Sequence, residues 1–77
     1  MPETRLTFEQ AIQLGISHQQ AGRFAEAESI YRQILAAQPN HPDALHLLGG
    51  LALQFGKLDV AADLMRRAVA VAPSIAM

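Results

Sequence analysis

The chain has 77 residues, enough for one small domain whose core is marginal, and with no cysteine it has neither disulfides nor thiolate metal sites to staple that core. Six Lys or Arg against seven Asp or Glu leave a formal charge of −1, which gives no long-range field to gather nucleic acid or an anionic membrane surface. Hydrophobic residues make up 51% of the chain but aromatics only 5%, a composition of aliphatic, alanine-rich helices that points to an all-α fold.

Taken in chain order, residues 1–7 form a short leading segment. Thr7 is placed to cap a first helix, Gln10 three residues on completes a capping box, and Leu6 sits where a hydrophobic staple begins. Gly22 ends that helix. A second helix is expected from about Ala25 to Ala37, stopped by Pro39, because proline has no amide hydrogen and disfavours helix at the residue before it. Pro42 suits the first turn of a third helix, Gly56 breaks the chain, a fourth helix runs from about Asp59 to Val71, and Pro73 closes it. Each helix carries small or apolar residues at i, i+3, i+4 and i+7, which defines one stripe. The stripes are Ala11, Leu14, Gly15, His18; Ala27, Ile30, Tyr31, Ile34; Leu45, Leu48, Gly49, Ala52; and Ala61, Leu64, Met65, Ala68.

The chain also repeats itself. A shift of 34 residues superposes Leu14-Gly15 on Leu48-Gly49, Gln20 on Gln54, Gly22 on Gly56, Ala27 on Ala61, Arg32 on Arg66, Ala36 on Ala70 and Pro39 on Pro73. The identities include both helix-ending glycines and both closing prolines, the positions where backbone geometry restricts choice. One unit spans residues 8–41 and the next 42–75, and residues 76–77 begin a third. Gly15 and Gly49 lie inside helices, where glycine costs about 1 kcal/mol relative to alanine, so close approach of a second helix is expected to offset the cost.

No constellation of reacting groups emerges. His41 and His46 are five apart and do not share a helix face as i, i+4 ligands do, so His41 reads as a cap or loop residue and His46 as an exposed groove residue. Ser17 adjoins His18, but neighbouring helical residues point about 100° apart and cannot exchange a proton directly. Glu26 and Glu28 face different directions, and Gly49-Gly50 lacks the Lys and Ser or Thr of a phosphate loop. Arg66 and Arg67 follow Asp63 by three and four residues, the spacing of local ion pairs. The expectation is a chain with no catalytic residue, metal or cofactor. The longest apolar stretch, Leu47 to Leu53, falls far short of the roughly 18 residues of a membrane span, and Met1 to Gln13 has no continuous hydrophobic region of the secretory kind. A cytoplasmic setting is expected, with neither a membrane nor a nucleic acid as partner.

A 34-residue helix-turn-helix bearing Leu-Gly, a later Ala, an aromatic four residues beyond it and a terminal Pro resembles the tetratricopeptide repeat. Leu14-Gly15, Ala27, Tyr31 and Pro39 carry the likeness in the first unit, and Leu48-Gly49, Ala61 and Pro73 in the second. The sequence departs from the family pattern at Ala11 and Leu45, where a Trp is common, at His18 and Ala52, which replace a Tyr, and at Met65, which replaces an aromatic. The resemblance implies two hairpins of antiparallel helices stacked as a short right-handed superhelical solenoid, a non-catalytic scaffold for protein interaction. It implies that Leu14, Gly15, Ala27, Tyr31, Leu48, Gly49, Ala61 and Met65 pack the repeats. It further implies a concave face made by the first helix of each unit, at Glu9, Ile12, Ile16, Gln19, Asp43, His46, Gly50 and Leu53. The Lys, Arg and Asn with which family members grip a peptide's terminal carboxylate do not occur at those positions.

On this reading the concave face takes an amphipathic helix or an extended peptide, with Ile12, Ile16 and Leu53 as apolar anchors and Gln19 and His46 as polar contacts. The alternative is an idle surface. The third helix is apolar on nearly every side and the fourth ends in valines, so Leu47, Leu51, Val69, Val71 and Ile75 are expected to form an exposed association face. Either a following repeat or a second copy of the chain would cover it. The run from Ala25 to Gly49 also resembles repeats that precede catalytic domains in bacterial glycosyltransferases of the O-linked N-acetylglucosamine type and in some sulfotransferases. Catalysis would then lie downstream, although the asparagine ladder of those transferases is missing.

Overall fold

The computed structural model describes residues 7–71 and contains α1 (Phe8–Gln20), α2 (Phe24–Ala37), α3 (Pro42–Gln54) and α4 (Leu58–Val71). Helix α1 packs on α2, α3 on α4, and α2 on α3, so the two hairpins stack through the middle pair. The expected ends of α2 and α4 move by one residue, because each helix starts on an apolar residue, Phe24 or Leu58, directly after its turn.

Local chemistry sets the ends. Thr7 accepts from the Gln10 amide at 3.0 Å and its own amide donates to Gln10 Oε1 at 3.0 Å, so the capping box is complete. Gly22 and Gly56 have φ of 83° and 75°, a left-handed conformation that glycine adopts without a Cβ penalty. Around them Arg23 N–H donates to the His18 carbonyl at 2.8 Å and Lys57 N–H to the Ala52 carbonyl at 2.9 Å. Gly22 and Gly56 reach back to Gln19 and Leu53. Both hairpin turns are thus the same Schellman closure. His41 caps α3, its Nδ1 accepting from the Ala44 amide at 3.2 Å, with Pro42 in the first turn.

The core joins both hairpins: Ile12, Ala27, Tyr31 and Ile34 of the first meet Ala44, Leu45, Leu48, Leu51, Leu64 and Ala68 of the second. Tyr31 and Leu45 are fully buried, and covering a side chain the size of Leu45 contributes roughly 2 kcal/mol. The in-helix glycines are where helices approach. A Cβ built on Gly15 would lie 3.0 Å from Tyr31 Cζ and nearer still to Cε1, while one on Gly49 would lie 3.2 Å from Met65 Cε.

Three expected placements are corrected. Ile12, expected in the groove, is buried in the core, whereas its equivalent His46 is exposed. The stacked second hairpin covers one side of the first, and among the described residues nothing covers the same side of the second. Leu14, expected to pack the repeat, is 42% exposed while its equivalent Leu48 is buried. Leu48 shares a cleft with Arg32, Leu35 and Ala36 of α2, so this register position meets the hairpin before it, and α1 has none among the described residues. Leu51, expected on the association face, is buried, sharing a second cleft with Glu28 and Arg32 of α2. Helix α3 therefore buries most of its apolar surface between α2 and α4, and Leu53 is the large residue that stays out. Val69 and Val71 are exposed as expected, and Ile75 lies outside the described residues.

Candidate functional site

Two of the clefts between the hairpins are broad. The larger, about 530 Å3, lies between α2 and α4 with Leu35, Leu48 and Leu64 among its apolar residues and Arg32, Asp59, Asp63 and Arg67 among its charged ones. Several of those charges are engaged within the chain. Arg32 is held by Glu28 at 2.8 Å, Arg67 donates to the Pro39 carbonyl at 3.1 Å, and Asp63 lies 3.8 and 3.9 Å from Arg66 and Arg67. The Asp63 spacing to Arg66 and Arg67 is the one read from the sequence, and at such exposure the pairs shape the surface more than they stabilise it.

The smaller groove, about 370 Å3, opens on the α1–α3 face. It is lined by Ile16, Gln19 and Gln20 of α1, Phe24 at the start of α2, and Leu47 and Gln54 of α3. No lining residue is ionisable. Ile16, Phe24 and Leu47 pack against the core behind them, so the floor is anchored while the glutamines ring it. Phe24 is fixed further by an edge-on contact with Phe55, ring centroids 5.1 Å apart at 81°.

Gln19 is tied from beneath. Tyr31 Oη donates to its Oε1 at 2.9 Å, and burial pushes the Tyr31 phenol above its ordinary value of 10.0, which keeps the hydroxyl protonated and donating.

Of the residues assigned to the concave face, this groove brings together Ile16 and Gln19. Glu9, Asp43, His46 and Leu53 are exposed and Gly50 half-buried, all outside the groove lining, and Ile12 is beneath the surface. Sequence reasoning assigned Leu47 to another face and overlooked Gln20, Phe24 and Gln54. The signal was present in part: Ile16, Gln19 and Gln20 sit at i, i+3 and i+4, Leu47 and Gln54 are seven apart, and Gln20 matches Gln54 across the repeat. Of the packing set, Gly15, Ala27, Tyr31, Leu48, Gly49 and Ala61 are buried and Met65 half-buried.

The histidines are used structurally or left open. His18 Nδ1 accepts from Arg23 Nε at 3.0 Å, His41 caps α3, and His46 is exposed. Among the described residues no three His, Asp or Glu side chains form a group that could hold a metal ion, and no helix is long and apolar enough to cross a membrane.

The sequence matches the family described as Tetratricopeptide repeat over residues 12–74, more than half of the chain. The chain belongs to the tetratricopeptide repeat family. As tetratricopeptide hairpins, α1–α2 and α3–α4 are modules of a kind that generally mediates protein interaction. No curated protein and no solved structure matches the chain.

Proposed function

We propose that this protein is a tetratricopeptide interaction scaffold that receives a peptide segment of a protein partner on its α1–α3 face. The observation that supports this most is the uncharged groove of Ile16, Phe24 and Leu47 ringed by Gln19, Gln20 and Gln54. An apolar floor gives contact area, and side-chain amides at its edge give direction. The alternative, a segment set before a glycosyltransferase or sulfotransferase domain, places catalysis outside these hairpins and is compatible with the same groove.

The test uses exposed lining residues, so that the core is untouched. Peptides selected from a random library on the immobilised chain are expected to lose binding to the Gln20→Glu/Gln54→Glu variant while its circular dichroism stays native. Undiminished binding to that variant defeats the groove.

A second reading concerns the outer face of α4. Leu58 is 62% and Val69 57% exposed, while their equivalents in the first hairpin, Phe24 and Leu35, are half-buried. We propose that this face is covered by a following repeat or by a second copy. Light scattering over a concentration series tests this: a mass that rises with concentration supports the covered face, and a stable, non-associating monomer contradicts it.

A further inference from the structure

We propose that the outer face of α4 docks a second copy of the chain, α4 lying antiparallel against its counterpart across a two-fold axis with Asp59 of each protomer paired to Arg66 of the other. The inference rests on the covered-face reading above and commits it to one occupant.

The face carries an apolar line. Leu58, Ala62, Met65 and Val69 follow one another by four, three and four residues, the spacing of a helix–helix contact seam. Leu58, Ala62 and Val69 are exposed and Met65 is half-buried. Their equivalents in α2 are Phe24, Glu28, Tyr31 and Leu35. Glu28 and Leu35 share clefts with Leu48 of α3, so this register is the side on which α2 receives the next helix. Among the described residues nothing lies against the same side of α4.

Three replacements between the hairpins indicate the occupant. Glu28 becomes Ala62, which takes the charge out of the middle of the line. Arg32, held by Glu28 at 2.8 Å, becomes Arg66, whose side chain is 74% exposed with Asp63 3.8 Å away. Ala25 becomes Asp59, which makes no ion pair among the described residues. Asp59 and Arg66 each follow a residue of the line by one position, so both run along the same edge of it. An acid near the start of the seam and a base near its end complement a reversed copy of themselves.

An antiparallel pairing that sets Ala62 against the partner's Met65, small against large, also sets Leu58 against the partner's Val69 and brings Asp59 within reach of the partner's Arg66. The two-fold axis makes each contact twice. A parallel pairing would put Ala62 against Ala62 and Met65 against Met65, with like charges level. The leading face of α1 is no substitute partner. Gln10 and Ser17 stand there where α3 buries Ala44 and Leu51, so head-to-tail stacking would bury polar groups. The association therefore closes as a dimer and does not grow into a filament.

Sedimentation equilibrium over a concentration series is expected to show monomer and dimer in exchange. Ala62→Glu copies Glu28, which the fold already accommodates at that register, and should leave a monomer with native circular dichroism. Asp59→Arg and Arg66→Asp should each weaken the dimer about tenfold, and the double variant Asp59→Arg/Arg66→Asp should restore it. The chain has no cysteine, so Leu58→Cys mixed with Val69→Cys should give, on mild oxidation, the mixed disulfide in preference to either same-site one. A wild-type monomer at every concentration defeats the covered-face reading and this inference together. A dimer that survives Ala62→Glu, or that cross-links at like positions, overturns the antiparallel seam while the covered face stands. A double variant as weak as the single ones overturns the pairing of Asp59 with Arg66.

Discussion

Gly15 lies against the ring of Tyr31 so closely that a Cβ on the glycine would sit 3.0 Å from Cζ and 3.2 Å from Cδ1. The ring is fully buried and its hydroxyl is bonded to Gln19, so it cannot swing aside. At the equivalent contact, Gly49 faces Met65, an unbranched and half-buried side chain. Gly50, one residue further, has open space where a Cβ would go.

Alanine at these glycines is therefore expected to give three different outcomes. Gly15→Ala should destabilise the protein by about 1–3 kcal/mol, the cost of overpacking, even after the helix-propensity gain. Gly49→Ala should fall within about 1 kcal/mol of wild type, because the shift demanded of Met65 offsets that gain. Gly50→Ala should stabilise by about 0.5–1 kcal/mol. Urea midpoints measured side by side check the order, and a Gly15→Ala variant as stable as Gly50→Ala would refute the close contact.

The turn glycines behave differently, since their constraint lies in the backbone. Gly22 and Gly56 have φ of 83° and 75° with nothing near a built Cβ. Alanine at either should cost about 1 kcal/mol or more through left-handed strain alone, and asparagine should recover part of that. Thermal melts of the Ala and Asn variants make the comparison.

Tyr31 makes stability depend on alkaline pH. Its folded pKa is raised by burial, so the neutral phenol is favoured in the native state. Below the ordinary value of 10.0 both states are protonated and stability is unaffected by this group. Above it the unfolded chain ionises first, and stability should fall by up to about 1.4 kcal/mol per pH unit until the folded pKa is passed. The chain has one tyrosine and no tryptophan, so tyrosinate absorbance reports this residue alone. A tyrosinate transition at the ordinary value in the folded protein would contradict the burial, and Tyr31→Phe should remove the phenol's share of the pH dependence.

Leu51 and Leu53 test the stacking. Leu51 is 3% exposed and Leu53 is 55% exposed, although they stand two apart in one apolar run. Leu51→Ala should cost about 2–5 kcal/mol, while Leu53→Ala should stay within about 0.5 kcal/mol of wild type. Equal losses in chemical denaturation would mean that Leu53 too is covered in solution.

The groove shows how the two kinds of information divide. The duplicated pattern placed α1 and α3 in matching register, and the i, i+3, i+4 set of Ile16, Gln19 and Gln20 is legible without coordinates. That Leu47 turns toward that set, and that Tyr31 holds the Gln19 oxygen, depends on how one hairpin leans on the next.

The sequence by itself determined the elements: the capping box at Thr7, the turns at Gly22 and Gly56, and the stop of α2 before Pro39. Each depends on residues a few positions apart along the chain, where local sterics and hydrogen bonds decide. Only the tertiary structure decided which apolar residues are covered. Ile12 and His46, Leu14 and Leu48, and Ser17 and Leu51 occupy equivalent positions, yet one of each pair is buried and the other is not or is only partly so. In a stack, burial at a given register depends on which side the neighbouring hairpin lies, and a periodic sequence pattern reads the same from both sides.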